Sequence, residues 1–83
     1  MSLFATIAVV CTMSTCNDYV IDTASNMQDA NINTHAQDDR FLKLWDDERQ
    51  LTNWLKEYKI GETVFEIVSL EMETKEIKED DLP

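Results

Sequence analysis

Eighty-three residues, 43% of them hydrophobic, are enough for one globular domain and leave no room for a second. Seventeen acidic side chains against seven Lys and Arg set the net charge at −10. Nucleic acid and anionic membranes repel such a polyanion, so direct binding to either is disfavoured and a basic protein surface is the partner that the charge suits.

The chain opens on an apolar run, Leu3 to Met13. Leu3, Ala5, Ile7, Val9, Cys11 and Met13 form one face of a strand, with Thr6 and Thr12 on the other. Phe4, Ala8 and Val10 make that second face greasy as well, which predicts a central strand or one covered on both sides. The run lacks the basic n-region and cleavage site of a secretory signal, and it is too short to span a bilayer, so the chain reads as cytosolic. Ser14 to Asn17 supply turn chemistry, and Tyr19 to Thr23 resume as the second strand of a hairpin.

Ala24 to Asp39 is polar, with only Met27, Ala30, Ile32 and Ala36 as apolar punctuation. It reads as a long loop or a short helix, Thr34 and Gln37 being spaced as a capping box for a helix that starts near His35. Arg40 to Trp45 reads as a strand in preference to a helix joined to the next segment, because Asp46-Asp47 suits a helix start better than a helix interior.

The helix that follows carries the strongest signal. Asp47 and Gln50 have capping-box spacing, and Leu51, Trp54, Leu55 and Tyr58 recur on one face. Gly61, the only glycine, stands where a left-handed C-terminal cap is expected. Val68 to Glu73 alternates as a last strand, and residues 74–83 are expected to be a frayed acidic tail. The whole predicts a single α+β domain over residues 1–83, in two layers. A mostly antiparallel sheet of three or four strands carries one amphipathic helix on one face. Leu51, Trp54, Leu55 and Tyr58 are expected to pack on Ile7, Val9, Val68 and Leu70.

Catalytic and metal chemistry find little here. Cys11, Cys16 and His35 are the only residues of their kinds, and CxxxxC with one distant His is a poor zinc pattern. A hairpin disulfide would not persist in a reducing cytosol, so two reduced, partly buried thiols are expected. No serine sits in a nucleophile elbow, the single histidine has no partner motif, and one glycine excludes the glycine-rich phosphate loops. No enzyme activity, cofactor or metal is expected.

Two features suggest binding instead. Phe41, Trp45, Trp54, Tyr58 and Phe65 are many rings for a small core, and a Trp or Tyr left outside is an interface anchor. Asp38, Asp39, Asp46, Asp47 and Glu48, with Glu71 and Glu73, could imitate phosphates in part, although Arg40, Lys43 and Arg49 interrupt them. The expected partner-binding set is therefore Asp38, Asp39, Trp45, Asp46, Asp47, Glu48, Tyr58, Glu71 and Glu73.

The opening FATIAVVCTMSTCNDYVID resembles the start of short uncharacterised proteins encoded by tailed phages and prophages. Val10, Cys11, Cys16, Asp18, Val20, Ile21 and Asp22 stand at the matching positions. The resemblance covers under a quarter of the chain and implies a phage origin without an activity. Small acidic phage proteins often inhibit host machinery, anti-restriction and anti-CRISPR factors among them. The leading expectation is thus a protein-binding inhibitor of a host defence or DNA-processing enzyme, acting in the host cytoplasm. A structural or accessory subunit that pairs through a strand edge or aromatic patch is the alternative, with a homodimer left open. A small redox or metal module on the cysteines is the second alternative.

Overall fold

The computed structural model describes residues 2–78. They form β1 (Ser2–Cys11), β2 (Cys16–Ala24), α1 (Met27–Leu44), α2 (Glu48–Glu57) and β3 (Ser69–Lys78). The strands make one open antiparallel sheet in the order β2-β1-β3, which places the doubly apolar first strand in the centre. Residues 74–78, expected as tail, are the second half of β3, and Ile77 there is buried. The remainder of the expected tail, residues 79–83, lies outside the described residues.

The inward face of β1 differs from expectation. Ala8 and Val10 join Ile21, Phe41, Leu51, Trp54, Leu55 and Ile60 in the main core, with Leu70 and Met72 partly buried against it. Ile7 belongs instead to a smaller cluster with Ala5 and Ile77, and Val9 packs on that one. Both faces of β1 are apolar, so alternation alone cannot choose between them. A small residue such as Ala8 leaves room in the same cluster for the Trp54 indole, which is only 1% exposed. Val68 precedes β3 and is 55% exposed rather than packed under α2.

β2 slips register once. Thr6 faces Asp22 and Ile7 faces Val20, so Ile21 is the extra residue of a bulge and turns into the main core. At the closed end of the hairpin Cys11 and Cys16 stand directly opposite, and they are joined by a disulfide rather than left as reduced thiols. Closing so short a loop restrains the unfolded chain by about 2 kcal/mol. Such a bond is at odds with a reducing cytosol.

The largest departure is residues 24–45, where the expected loop and strand are one helix. Asn26 caps α1 by accepting from the Asp29 N–H at 2.8 Å, in place of the Thr34–Gln37 box. Ala30, Thr34, Gln37, Phe41 and Leu44 follow at three- and four-residue spacing and are all buried or half-buried. Thr34 fastens the helix to the sheet. Its Oγ1 lies 2.8 Å from the hydroxyls of both Thr6 and Thr74, which are opposite each other in the β1–β3 pairing, and it donates to the Ala30 carbonyl at 2.9 Å. The chain breaks after Leu44, whose carbonyl accepts from the Asp47 N–H at 2.9 Å.

Asp47 then starts α2 much as its spacing predicts. It accepts from the Gln50 N–H at 3.1 Å and from the Gln50 side-chain amide at 3.0 Å. The exit differs. Lys59 takes the left-handed conformation (φ 57°), its N–H donates to Lys56 at 3.1 Å, and the Ile60 N–H reaches Leu55 at 2.9 Å. Gly61 is not in the left-handed region. The cap falls two residues early because Ile60, the residue after it, drops into the main core.

Candidate functional site

The C-terminal half of α1 presents a stripe outward. Asp38, Leu42 and Trp45 are four and three residues apart, hence on one side of the helix. Leu42 is 66% exposed and Trp45 is 49% exposed. Trp45 is held by Phe41, whose ring centroid lies 5.2 Å away and which is itself buried. A shallow groove separates this end of α1 from the start of β3. Phe41, Leu42 and Trp45 form one wall, and Val68, Ser69, Leu70 and Glu71 form the other. Apolar surface lies open at Leu42, Trp45 and Val68 at once, with the Glu71 carboxylate in the same groove and exposed Asp38 and Asp46 next to Leu42 and Trp45 along the chain.

The expected partner-binding residues divide accordingly. Trp45 and Glu71 line the groove; Asp38 shares the Leu42–Trp45 side of α1, Asp46 follows Trp45 in the chain, and Asp39 lies instead beside His35 and Ile32, all three being exposed. Asp47 is occupied as the cap of α2. Glu48 lines a different groove, between α2 and the segment after it, beside Phe65, whose ring is 83% exposed. Glu73 pairs with Ile7 of β1 and so stands on the face of the smaller cluster. Tyr58 is half-buried at the joint of the two helices. Its hydroxyl accepts from Gln37 at 3.0 Å and from Arg40 at 3.3 Å, and its ring packs 5.1 Å from Trp54. Arg40 also pairs with Glu57 at 2.8 Å, but both are about half exposed, so the pair contributes at most about 1 kcal/mol. Within this joint Trp54 Nε1 and Gln37 Oε1 are buried without a partner.

Sequence reasoning missed Leu42 and Val68 as open surface. It also missed a tether between β2 and the exit of α2. Glu62 accepts from the Tyr19 hydroxyl at 2.5 Å and from the Asn17 amide at 2.6 Å. The Tyr19 hydrogen bond holds the Glu62 carboxyl below its ordinary 4.5, against the opposing effect of burial. The same bond, aided by burial, raises the Tyr19 phenol above its ordinary 10.0. No local signal in the sequence joins residues so far apart.

His35 lies exposed on the outer side of α1, beside Ile32 and Asp39. Among the described residues no three His, Cys, Asp or Glu side chains converge as a metal site, and no helix is long and apolar enough to cross a membrane. Set against protein-family models, curated proteins and solved structures, the chain finds no match.

Proposed function

We propose that the protein acts by binding another protein through the groove between α1 and β3. The observation that carries this reading is the coincidence of open Leu42, Trp45 and Val68 with Glu71 in one groove, Asp38 and Asp46 standing one turn and one residue away along the chain from Leu42 and Trp45. A scattered exposed apolar residue is ordinary, but three around one groove support an interface reading. The aromatic supplies a desolvated anchor, and the carboxylates select a basic rim and speed the encounter. The fold is taken as two layers for this purpose, with both helices on the Ala8–Val10 face of the sheet. Support for that arrangement is the shared cluster of Ala8 and Val10 with Phe41, Leu51, Trp54 and Leu55.

The partner we propose is a host enzyme with a basic surface, blocked by this protein after phage infection. The N-terminal resemblance and the charge of −10 favour it. The acids themselves are too dispersed over α1, the α1–α2 turn and β3 to imitate a duplex along its length, so occlusion by contact is the better mechanism. An affinity capture from host lysate at low and at high salt tests the proposal. Wild-type protein should retain a defined enzyme at low salt and release it as salt rises. Trp45→Ser and Leu42→Ser should lose that enzyme at either salt without a change in fold. Retention undiminished in both variants would move the interface elsewhere.

A further inference from the structure

The sheet has two free edges among the described residues, and they are unlike. β2 carries the bulge at Ile21, which twists and blunts an edge against further pairing. β3 carries none. Its ten residues pair in continuous register with β1 from Ser69 to Lys78, so its other side offers an equally regular row of backbone N–H and C=O groups. The groove beside that edge is lined by Val68, just before β3, and by Ser69, Leu70 and Glu71, which alternate between the two faces of the sheet. It therefore abuts the edge rather than one face. An exposed, straight strand of this length is a template for another strand.

The charges along β3 choose the strand that fits. In an antiparallel two-fold pairing, opposed residues share a face, so the axis must pass through a residue. With the axis at Thr74, Glu73 meets Lys75 of the second copy twice, Met72 meets Glu76, Leu70 meets Lys78 and Glu71 meets Ile77. No like charges oppose each other. An axis at Glu73 or at Lys75 sets that residue against its own copy, and one at Met72 sets Glu71 against Glu73. Like charges directly opposite are destabilising in a ladder. We propose that the chain self-associates through the free edge of β3, in the register centred on Thr74, which gives the longest pairing free of opposed like charges, to form a continuous six-stranded antiparallel sheet. This association goes beyond the partner-binding role, and it sets Ile77 and Lys78 of the second copy opposite Glu71 and Leu70, the β3 wall of the groove.

The charge of −10 on each copy opposes this contact at long range, so salt that screens it should strengthen association up to a moderate concentration. Sedimentation equilibrium on the full chain, from micromolar to millimolar, should show a monomer–dimer equilibrium. Glu73→Lys lowers the overall negative charge, yet it sets a new ammonium against Lys75 twice and should weaken the dimer at least roughly tenfold. Lys75→Glu should weaken it similarly. The double exchange Glu73→Lys/Lys75→Glu restores opposite signs and should recover wild-type association. Both positions are exposed, so circular dichroism should report an unchanged fold. Amides of β3 should gain hydrogen-exchange protection with concentration, while those of β2 should not. A monomer at every concentration and salt overturns the proposal. So does a dimer that Glu73→Lys strengthens or leaves unchanged, or one that the double exchange fails to rescue.

Discussion

The two helices contribute to one core and are held there by different chemistry. α2 buries Leu51, Trp54 and Leu55, with Ile60 just beyond it, so its attachment is hydrophobic and non-directional. α1 buries only Ala30 and Phe41 completely, and its middle is fixed by the hydroxyl of Thr34 and the amide of Gln37. Greasy contacts supply most of the free energy, whereas hydrogen bonds in a half-buried seam set position at a small net gain. The difference teaches that a helix need not look amphipathic to have one correct face.

The heaviest blow to this contrast falls on α2. Trp54→Ala should destabilise the domain by about 3–5 kcal/mol, most of the stability expected of so small a fold. Urea or thermal unfolding measures it, and an unshifted midpoint would mean that α2 turns another face inward. On α1, Thr34→Val keeps shape and removes the shared partner of Thr6 and Thr74. Its cost should be about 1–3 kcal/mol, with Thr34→Ser restoring most of it. A neutral Thr34→Val would make α1 another hydrophobic helix and erase the distinction.

A smaller loss is expected at the tether beyond α2. Tyr19→Phe should cost about 1 kcal/mol at neutral pH. The Glu62 carboxyl is depressed in the folded state, so its contribution is present above the ordinary 4.5 and lost as pH falls through the folded value. The Tyr19 phenol is raised, so its contribution is present below 10.0 and lost as pH rises through the folded value. The gap between wild type and Tyr19→Phe should accordingly be widest between these limits and close at both ends. A gap that persists unchanged into acid would show that Glu62 is not the partner. The smallest effect is a gain. Lys59→Gly should stabilise by about 0.5–1 kcal/mol, because only the glycine backbone adopts the left-handed cap without cost. Gly61→Ala should be nearly silent, since an added Cβ there would meet only the Tyr19 hydroxyl at 3.9 Å.

α2 and the first half of β3 are readable because apolar residues mark their periods cleanly, whereas Thr74 to Lys78 carry only Ile77 as an apolar mark and read as tail. α1 is not readable, for the reason the comparison exposes: Thr34 and Gln37 occupy its inward stripe, while Ile32 and Leu42 point out. Phe41 and Leu44 fit a helix as well as a strand, and only the Asn26 cap, some four turns earlier, decides between them. The hairpin was legible, but the bulge at Ile21 breaks the alternation that assigns faces. For β1, both faces are apolar, so alternation does not decide between Ile7–Val9 and Ala8–Val10, and the inward side is the latter. The candidate groove was half visible. Trp45 and the acids were marked, whereas Leu42 and Val68 join them only once α1 and β3 lie side by side.

The cluster of three threonines has a fixed sense of direction. A hydroxyl has one hydrogen to give, and Thr34 gives its own to the Ala30 carbonyl, which can only accept. The two remaining contacts of Thr34 are therefore both received, so the hydrogens of Thr6 and Thr74 must both point at it. Three rotors that spin freely in most proteins are locked in one orientation across two strands and a helix. With Thr6 only 1% exposed, its hydroxyl proton should exchange slowly enough to appear in NMR spectra, where a surface threonine shows nothing. That resonance would report the docking of α1 on the sheet directly, and it should vanish before the amides of β1 lose their protection if α1 lifts away first.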